Sequence, residues 1–146
     1  MTGIILVTGA SGNVGQEVVR ALSETDATIR AAIHSPQKSE LFRGLDVETI
    51  VIDYTKPSTI KPAFEGVEKL FLVTPVTEDM VRISNSIVAE AKIAGVKHIV
   101  KLSALGANAD NPTLLGRWHR EAELHIEKTG IAYTFLRPNM FMQNLL

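Results

Sequence analysis

Thr8-Gly9-Ala10-Ser11-Gly12-Asn13-Val14-Gly15 is the stretch whose reading decides the fold. It follows a short β-branched run, Ile4 to Thr8, and opens a segment in which Val14, Val18, Ala21 and Leu22 recur at helical spacing. A strand, a glycine-rich turn and an amphipathic helix in immediate succession make a βα unit. There the three glycines serve a tight turn, close approach of a pyrophosphate to the backbone, and close helix-sheet packing. Unpaired N–H groups at the helix start, together with the helix dipole, favour a phosphate at that point. The competing reading is a glycine-rich turn used only for packing.

The same alternation continues outward. Further strands are expected at Thr28 to Ile33, Glu48 to Ile52, Lys69 to Val73, His98 to Leu102 and Ala132 to Leu136, which with the first makes six. Met80, Ile83, Ile87, Ala91 and Ala94 line a helix expected to be capped by Thr77 and stopped by Gly95. Another is expected to start at Asn111-Pro112, to keep Leu115, Trp118, Ala122 and Ile126 on one side, and to end at Gly130. Leu70-Phe71-Leu72-Val73 is apolar on both faces, as in a parallel sheet covered on both sides. The fold class is therefore α/β: a Rossmann-like, doubly wound parallel sheet of six strands with helices on both faces, one domain over residues 1–146.

Composition narrows the function. The 146 residues suffice for one core, and 15 Lys+Arg against 16 Asp+Glu leave a net charge of -1, so no electrostatic field favours nucleic acid. Without cysteine there is no disulfide, no thiolate nucleophile and no cysteine-bound metal, and a cytoplasmic location is the natural reading. No apolar run has the length of a membrane span, and Met1 leads into Ile4 without a basic leader, so neither membrane nor secretion is expected. The four histidines are not spaced as a metal site; His119 and His125 are six positions apart and do not share a helix face.

The end of the second strand bears on the choice of dinucleotide. An NAD site would place Asp or Glu there for the ribose hydroxyls, whereas this chain has Ile33-His34-Ser35-Pro36-Gln37-Lys38. His34 and Lys38 could contact a 2′-phosphate instead, so NADP(H) is expected over NAD; the alternative is a solvated polar turn.

Val7 to Gly15, Leu72-Val73-Thr74-Pro75, Leu102-Ser103-Ala104 and Leu136-Arg137-Pro138-Asn139 together resemble the NmrA-like branch of the atypical short-chain dehydrogenases. Gly116-Arg117-Trp118-His119-Arg120-Glu121-Ala122-Glu123, followed by Phe135 to Leu146, is similar to members described as NAD(P)H-dependent quinone or azo-dye reductases. The resemblance implies that Gly9, Ser11, Gly12, Asn13, Val14 and Gly15 bind cofactor. It also implies Asp53 near the adenine, Thr74 and Pro75 near the ribose, and Pro138 and Asn139 on the nicotinamide side.

In the wider superfamily a catalytic Tyr precedes a Lys by four positions. If His119 takes the Lys position, Leu115 takes that of the Tyr, so an alcohol-to-ketone proton shuttle is not expected. Ser103 stands at the family serine, where binding cofactor or capping a loop is the expected role. The catalytic candidates are thus His119 and Ser103, with His119 as a positioning group, and Trp118 is expected to be a core anchor.

Relatives of this kind continue into a substrate lobe, and this chain ends at Leu146, so that lobe is expected to be absent. Met140-Phe141-Met142 and Leu145-Leu146 would then seek a partner chain or a second copy. The leading functional reading is an NADP(H)-binding domain of an oxidoreductase passing hydride to a quinone-like acceptor. The alternatives are a non-catalytic NAD(P)-sensing regulator and an inactive dinucleotide-binding fragment.

Overall fold

The computed structural model describes residues 3–110 and 112–139. Six strands form one sheet: β1 (Ile4–Val7), β2 (Thr28–Ile33), β3 (Glu48–Val51), β4 (Val67–Leu72), β5 (His98–Leu102) and β6 (Ala132–Leu136). Their order is β3-β2-β1-β4-β5-β6 and every pairing is parallel. All the expected strands are present; the largest difference is that β4 starts at Val67 rather than Lys69. Helices α1 (Asn13–Ser23), α2 (Ile60–Ala63), α3 (Met80–Ala94) and α4 (Leu114–Thr129) are joined by 3-10 turns at Pro36–Phe42 and Pro57–Thr59.

Strand alternation divides the apolar side chains between two layers. Leu6, Ala32, Leu70, Leu72 and Ile99 pack on one face with Ile60, Ile87, Ala91 and Ile126 from α2, α3 and α4. Val7, Ile29, Ala31 and Ile33 pack on the other with Val19 of α1 and Phe42. Each Val, Leu, Ile or Phe among them contributes roughly 1.5–3 kcal/mol by leaving water. Arg30 shares the first face, where its Nη1 donates to the carbonyls of Ala63 and Glu65 at 2.7 Å each and its Nε lies 3.1 Å from the Glu48 carboxylate. This buried guanidinium fastens the end of α2 to the neighbouring strands.

Local expectations needed correction where side chains compete for the same backbone groups. Thr77 does not cap α3; it accepts from the Asp79 N–H one turn earlier, and Asp79 is the residue at the helix boundary. Helix α4 begins at Leu114, later than expected, and is capped by Thr113, whose hydroxyl accepts from the Gly116 N–H at 3.1 Å. Asn111 and the apolar segment from Met140 onward lie outside the described residues. Ala21 and Ala94 are exposed at the edges of their helix stripes. Trp118 is only half-buried and belongs to neither apolar layer, so it is no core anchor: the inward face of α4 is Gly116, His119, Ala122, Glu123 and Ile126. The glycine stops were read correctly, since α3 and α4 end at Gly95 and Gly130, both left-handed.

In this strand order β1 has β2 on one side and β4 on the other, so the chain winds away in opposite directions from the β1-β4 pair. That reversal opens a crevice at the carboxyl ends of the strands. Among the described residues, no helix is long and apolar enough to cross a membrane.

Candidate functional site

The glycine loop is fastened to the end of β4 by one side chain. Thr8 Oγ1 donates to the Val73 carbonyl and accepts from the Val73 N–H, both at 2.9 Å. Gly9 then turns with φ 59, a conformation that a side chain would strain, and a Cβ there would lie 3.0 Å from the Val73 oxygen. At Gly15 a Cβ would fall 2.1 Å from the Gly9 oxygen, a backbone atom with no freedom to swing aside. Gly12 differs: its φ is -80, and a Cβ would make only an ordinary 3.4 Å contact with that oxygen. Gly9 and Gly15 are therefore required by packing, whereas the missing side chain of Gly12 leaves open space. No side chain caps α1, so the first-turn N–H groups of Asn13, Val14 and Gly15 have no intrahelical acceptor.

Two cavities lie along the carboxyl edge of the sheet. One, of about 370 Å³, is lined by Gly9, Ser11, Gly12, His34, Tyr54 and Pro75 among others. The second, of about 480 Å³, is lined by Leu102, Ser103, Leu115, His119, Pro138 and Asn139 among others. Val73 and Thr74 border both, so the cavities meet at the end of β4. The Thr74 hydroxyl is buried and has no hydrogen-bond partner among the described residues. A buried hydroxyl without a partner costs about 1–3 kcal/mol, which a ligand lying across the junction would recover.

The expected cofactor residues divide accordingly. Gly9, Ser11, Gly12, His34, Thr74 and Pro75 border the first cavity, and Thr74, Ser103, Pro138 and Asn139 the second. Asn13 and Val14 stand at the start of α1 but border neither cavity, and Lys38 is exposed on the Pro36–Phe42 turn away from both linings. Asp53 also lies outside them. Its carboxylate accepts from the Thr55 N–H at 2.9 Å and from the Thr55 hydroxyl at 2.6 Å, bonds that hold its pKa below the ordinary value. Its neighbour Tyr54 lines the cavity instead, with burial pushing its hydroxyl up to about 12.

Beneath the second cavity lies a charged cluster that sequence reasoning missed. Lys101 follows Ile99 by two positions on β5 and so faces α4, where it is fully buried. Its Nζ is 3.2 Å from His119 Nδ1 and 3.3 Å from the Leu102 carbonyl. One turn along α4, fully buried Glu123 accepts from Arg137 Nη2 at 2.7 Å, Arg137 Nε at 3.0 Å and Arg120 Nη1 at 2.9 Å. Ser103 donates to the same carboxylate at 2.6 Å while bordering the cavity. A lysine on a strand otherwise apolar at that parity, and a glutamate four positions after His119 on the buried face, were the available signals.

Burial pushes Lys101 down to about 8, with Glu123 opposing. Burial and then the Lys101 charge push His119 down to about 4, again against Glu123. For Glu123, burial alone would raise the pKa, but the hydrogen bonds from Arg137, Ser103 and Arg120 outweigh it and hold the carboxyl at about 2. His119 is therefore neutral in the folded chain, and the stability it contributes is complete above pH 6.5 and lost as pH falls through 4. On the order of 3 kcal/mol should disappear across that window. Urea denaturation at several pH values should show a shallower slope between pH 6.5 and 4 for His119→Gln than for the parent; parallel curves would refute this.

Comparison with known proteins gives a concordant result. The family described as NAD(P)H-binding matches residues 9–144. An NAD(P)H azoreductase from Xenophilus azovorans is 39% identical over 98% of this chain and 50% of its own length. The crystal structure of an NADPH-dependent quinone oxidoreductase from Escherichia coli, complexed with NADPH, superposes with a TM-score of 0.88 at 31% identity, covering 96% of this chain and 50% of that one. A triphenylmethane reductase from a Citrobacter species, complexed with NADP(H), also reaches 0.88, at 30% identity, covering 97% of this chain and 51% of that one. The chain thus spans about half the length of the relatives it matches, and the resemblance to quinone and azo reductases is borne out.

Proposed function

This chain belongs to the NAD(P)H-binding family, and from that premise we propose that it holds a reduced nicotinamide dinucleotide across the two cavities, facing an electron-poor acceptor of the quinone or azo type. The observation that carries the reading is the buried, unpartnered Thr74 hydroxyl at the junction, where a molecule passing from one cavity to the other would lie. The open space at Gly12 and the uncapped start of α1 fit a pyrophosphate. Bound there, the dinucleotide supplies a hydride, the redox chemistry that the protein's own side chains lack. The apolar residues Val76, Leu102, Leu105 and Leu115 give the second cavity a lining suited to a flat, poorly hydrated acceptor. Reduction of such an acceptor needs no protein acid, in keeping with the reading that puts Leu115 at the superfamily tyrosine if His119 takes the lysine position; the proton comes from water.

His34 is the basic side chain bordering the first cavity, so NADPH should bind more tightly than NADH by about tenfold, the worth of one charge-assisted hydrogen bond. His34→Asp should narrow or reverse the difference. Calorimetry with each cofactor reads this directly, and equal affinities in the parent would refute the preference. The function itself is tested by NADPH oxidation with a panel of quinones and azo dyes. Turnover supports an acceptor reductase. Equally tight binding of NADPH and NADP without turnover supports a dinucleotide sensor, and no binding overturns both.

A further inference from the structure

We propose that Lys101 is a positioning residue for the acceptor: by donating to His119 Nδ1 it fixes the imidazole as the tautomer whose Nε2 carries the proton on the ring edge turned away from Lys101. This inference rests on the acceptor-reducing reading above and adds the group that would recognise the acceptor. The ring lines the second cavity, and no hydrogen bond engages Nε2 among the described residues. The ammonium of Lys101 has protons to give and no lone pair to accept with, so the nitrogen facing it at 3.2 Å must be the unprotonated one. The proton then belongs to Nε2, which on the opposite edge of the ring is available to an acceptor atom in the cavity.

The surroundings reinforce that arrangement. Lys101 has zero exposure and is held between the Leu102 carbonyl and His119, so its ammonium has no aqueous alternative. Glu123, the nearby carboxylate, is taken up by Arg137, Arg120 and Ser103, and does not bond to the imidazole. A carboxylate at Nδ1 would select the opposite tautomer; a lysine excludes it. The neighbouring cation and burial also keep the ring neutral.

The ligand chemistry follows. A neutral Nε2–H is a hydrogen-bond donor suited to a carbonyl oxygen or azo nitrogen on which negative charge builds as hydride arrives. A quinone there would gain one hydride from the reduced dinucleotide, leaving that dinucleotide oxidised, and one proton from water, giving the hydroquinone. The His119 proton is never transferred. Lys101 touches neither reactant, which is why its role is positional.

The test begins with the ligand-free chain, labelled with ¹⁵N-histidine, at pH 7. Long-range proton-nitrogen correlation, with His119→Gln to assign the signal, should show His119 neutral, protonated at Nε2, with the Nδ1 resonance displaced by an accepted hydrogen bond. A proton on Nδ1, a doubly protonated ring, or an Nδ1 resonance unchanged in Lys101→Met would overturn the proposal. If NADPH and a soluble benzoquinone turn over, Lys101→Met should lower kcat roughly tenfold with the KM for NADPH unchanged, and less than about twofold in a His119→Gln background. Equal losses in both backgrounds would mark Lys101 as merely structural and overturn it. Absence of turnover refutes the acceptor reading alone, because the tautomer is read without substrate.

Discussion

Gly12→Val is expected to lose NADPH binding by at least about a hundredfold while unfolding within a few degrees of the parent, and Gly15→Ala to do damage of the opposite kind. The two positions belong to one loop but meet different surroundings. At Gly12 the backbone already has a conformation open to any residue, and a side chain would enter the cavity that the pyrophosphate is expected to fill. At Gly15 even a methyl group would overlap the Gly9 oxygen at 2.1 Å and press on the Ala10 Cα at 2.8 Å. Relief requires moving α1 or the loop clasped to β4. The expected cost is about 3 kcal/mol or more, or roughly 10 °C in Tm. Thermal unfolding and an NADPH titration on both variants decide it. NADPH binding within a few-fold of the parent for Gly12→Val, or an unchanged Tm for Gly15→Ala, would overturn the assignment of these glycines.

Glu123→Ala should destabilise the chain by roughly 3–5 kcal/mol at pH 7, because it removes the anion that balances the buried charges beneath the second cavity. Arg137 and Arg120 retain 29% and 31% side-chain exposure, so they can rehydrate in part. Lys101 cannot, and it would be driven toward its neutral form. The effect has a defined pH signature. The Glu123 carboxyl titrates near 2 in the folded chain, against 4.5 ordinarily, so the stability it contributes is complete above pH 4.5 and lost as pH falls toward 2. Parent and variant should therefore differ widely in urea at pH 7 and converge near pH 2. A difference below about 1 kcal/mol at pH 7 would mean that the network is energetically idle.

The strands were legible in the sequence because a parallel sheet buried on both faces leaves compact β-branched runs, and the helices between them impose a different period. Leu70-Phe71-Leu72 could hardly be read otherwise. The glycine loop was legible for the same reason, since its meaning came from its place between a strand and a helix. Two kinds of feature were not. Helix starts depend on which of several hydroxyls reaches a free N–H first, and the cap at Thr113 lies beyond the expected Asn111-Pro112 start by a distance too small for periodicity to resolve. The Lys101-His119-Glu123 cluster needs the docking of α4 on β5, which joins residues 18 and 20 positions apart in pairs such as Lys101-His119 and Ser103-Glu123. Read along the chain, Lys101 was one charge in an apolar strand and Glu123 one of several acids on a helix. Trp118 shows the converse error, an aromatic at core spacing that lies just off the buried stripe.

The Thr8-Val73 clasp spans 65 residues of sequence, and that span sets an order of events on the ribosome. Central strand β1 finds its second neighbour only in β4, so the amino-terminal segment must wait, one edge unpaired, until residue 73 has left the exit tunnel. The nascent chain can pair β1 with β2 and wrap α1 beforehand, with the Ala10 N–H donating to the Ala32 carbonyl, but the turn at Gly9 lacks its contact with Val73 until then. A dinucleotide in the surrounding medium is thus no template for the early steps of folding. It can stabilise only a chain that has already closed this long loop, so its help comes after that closure has been made.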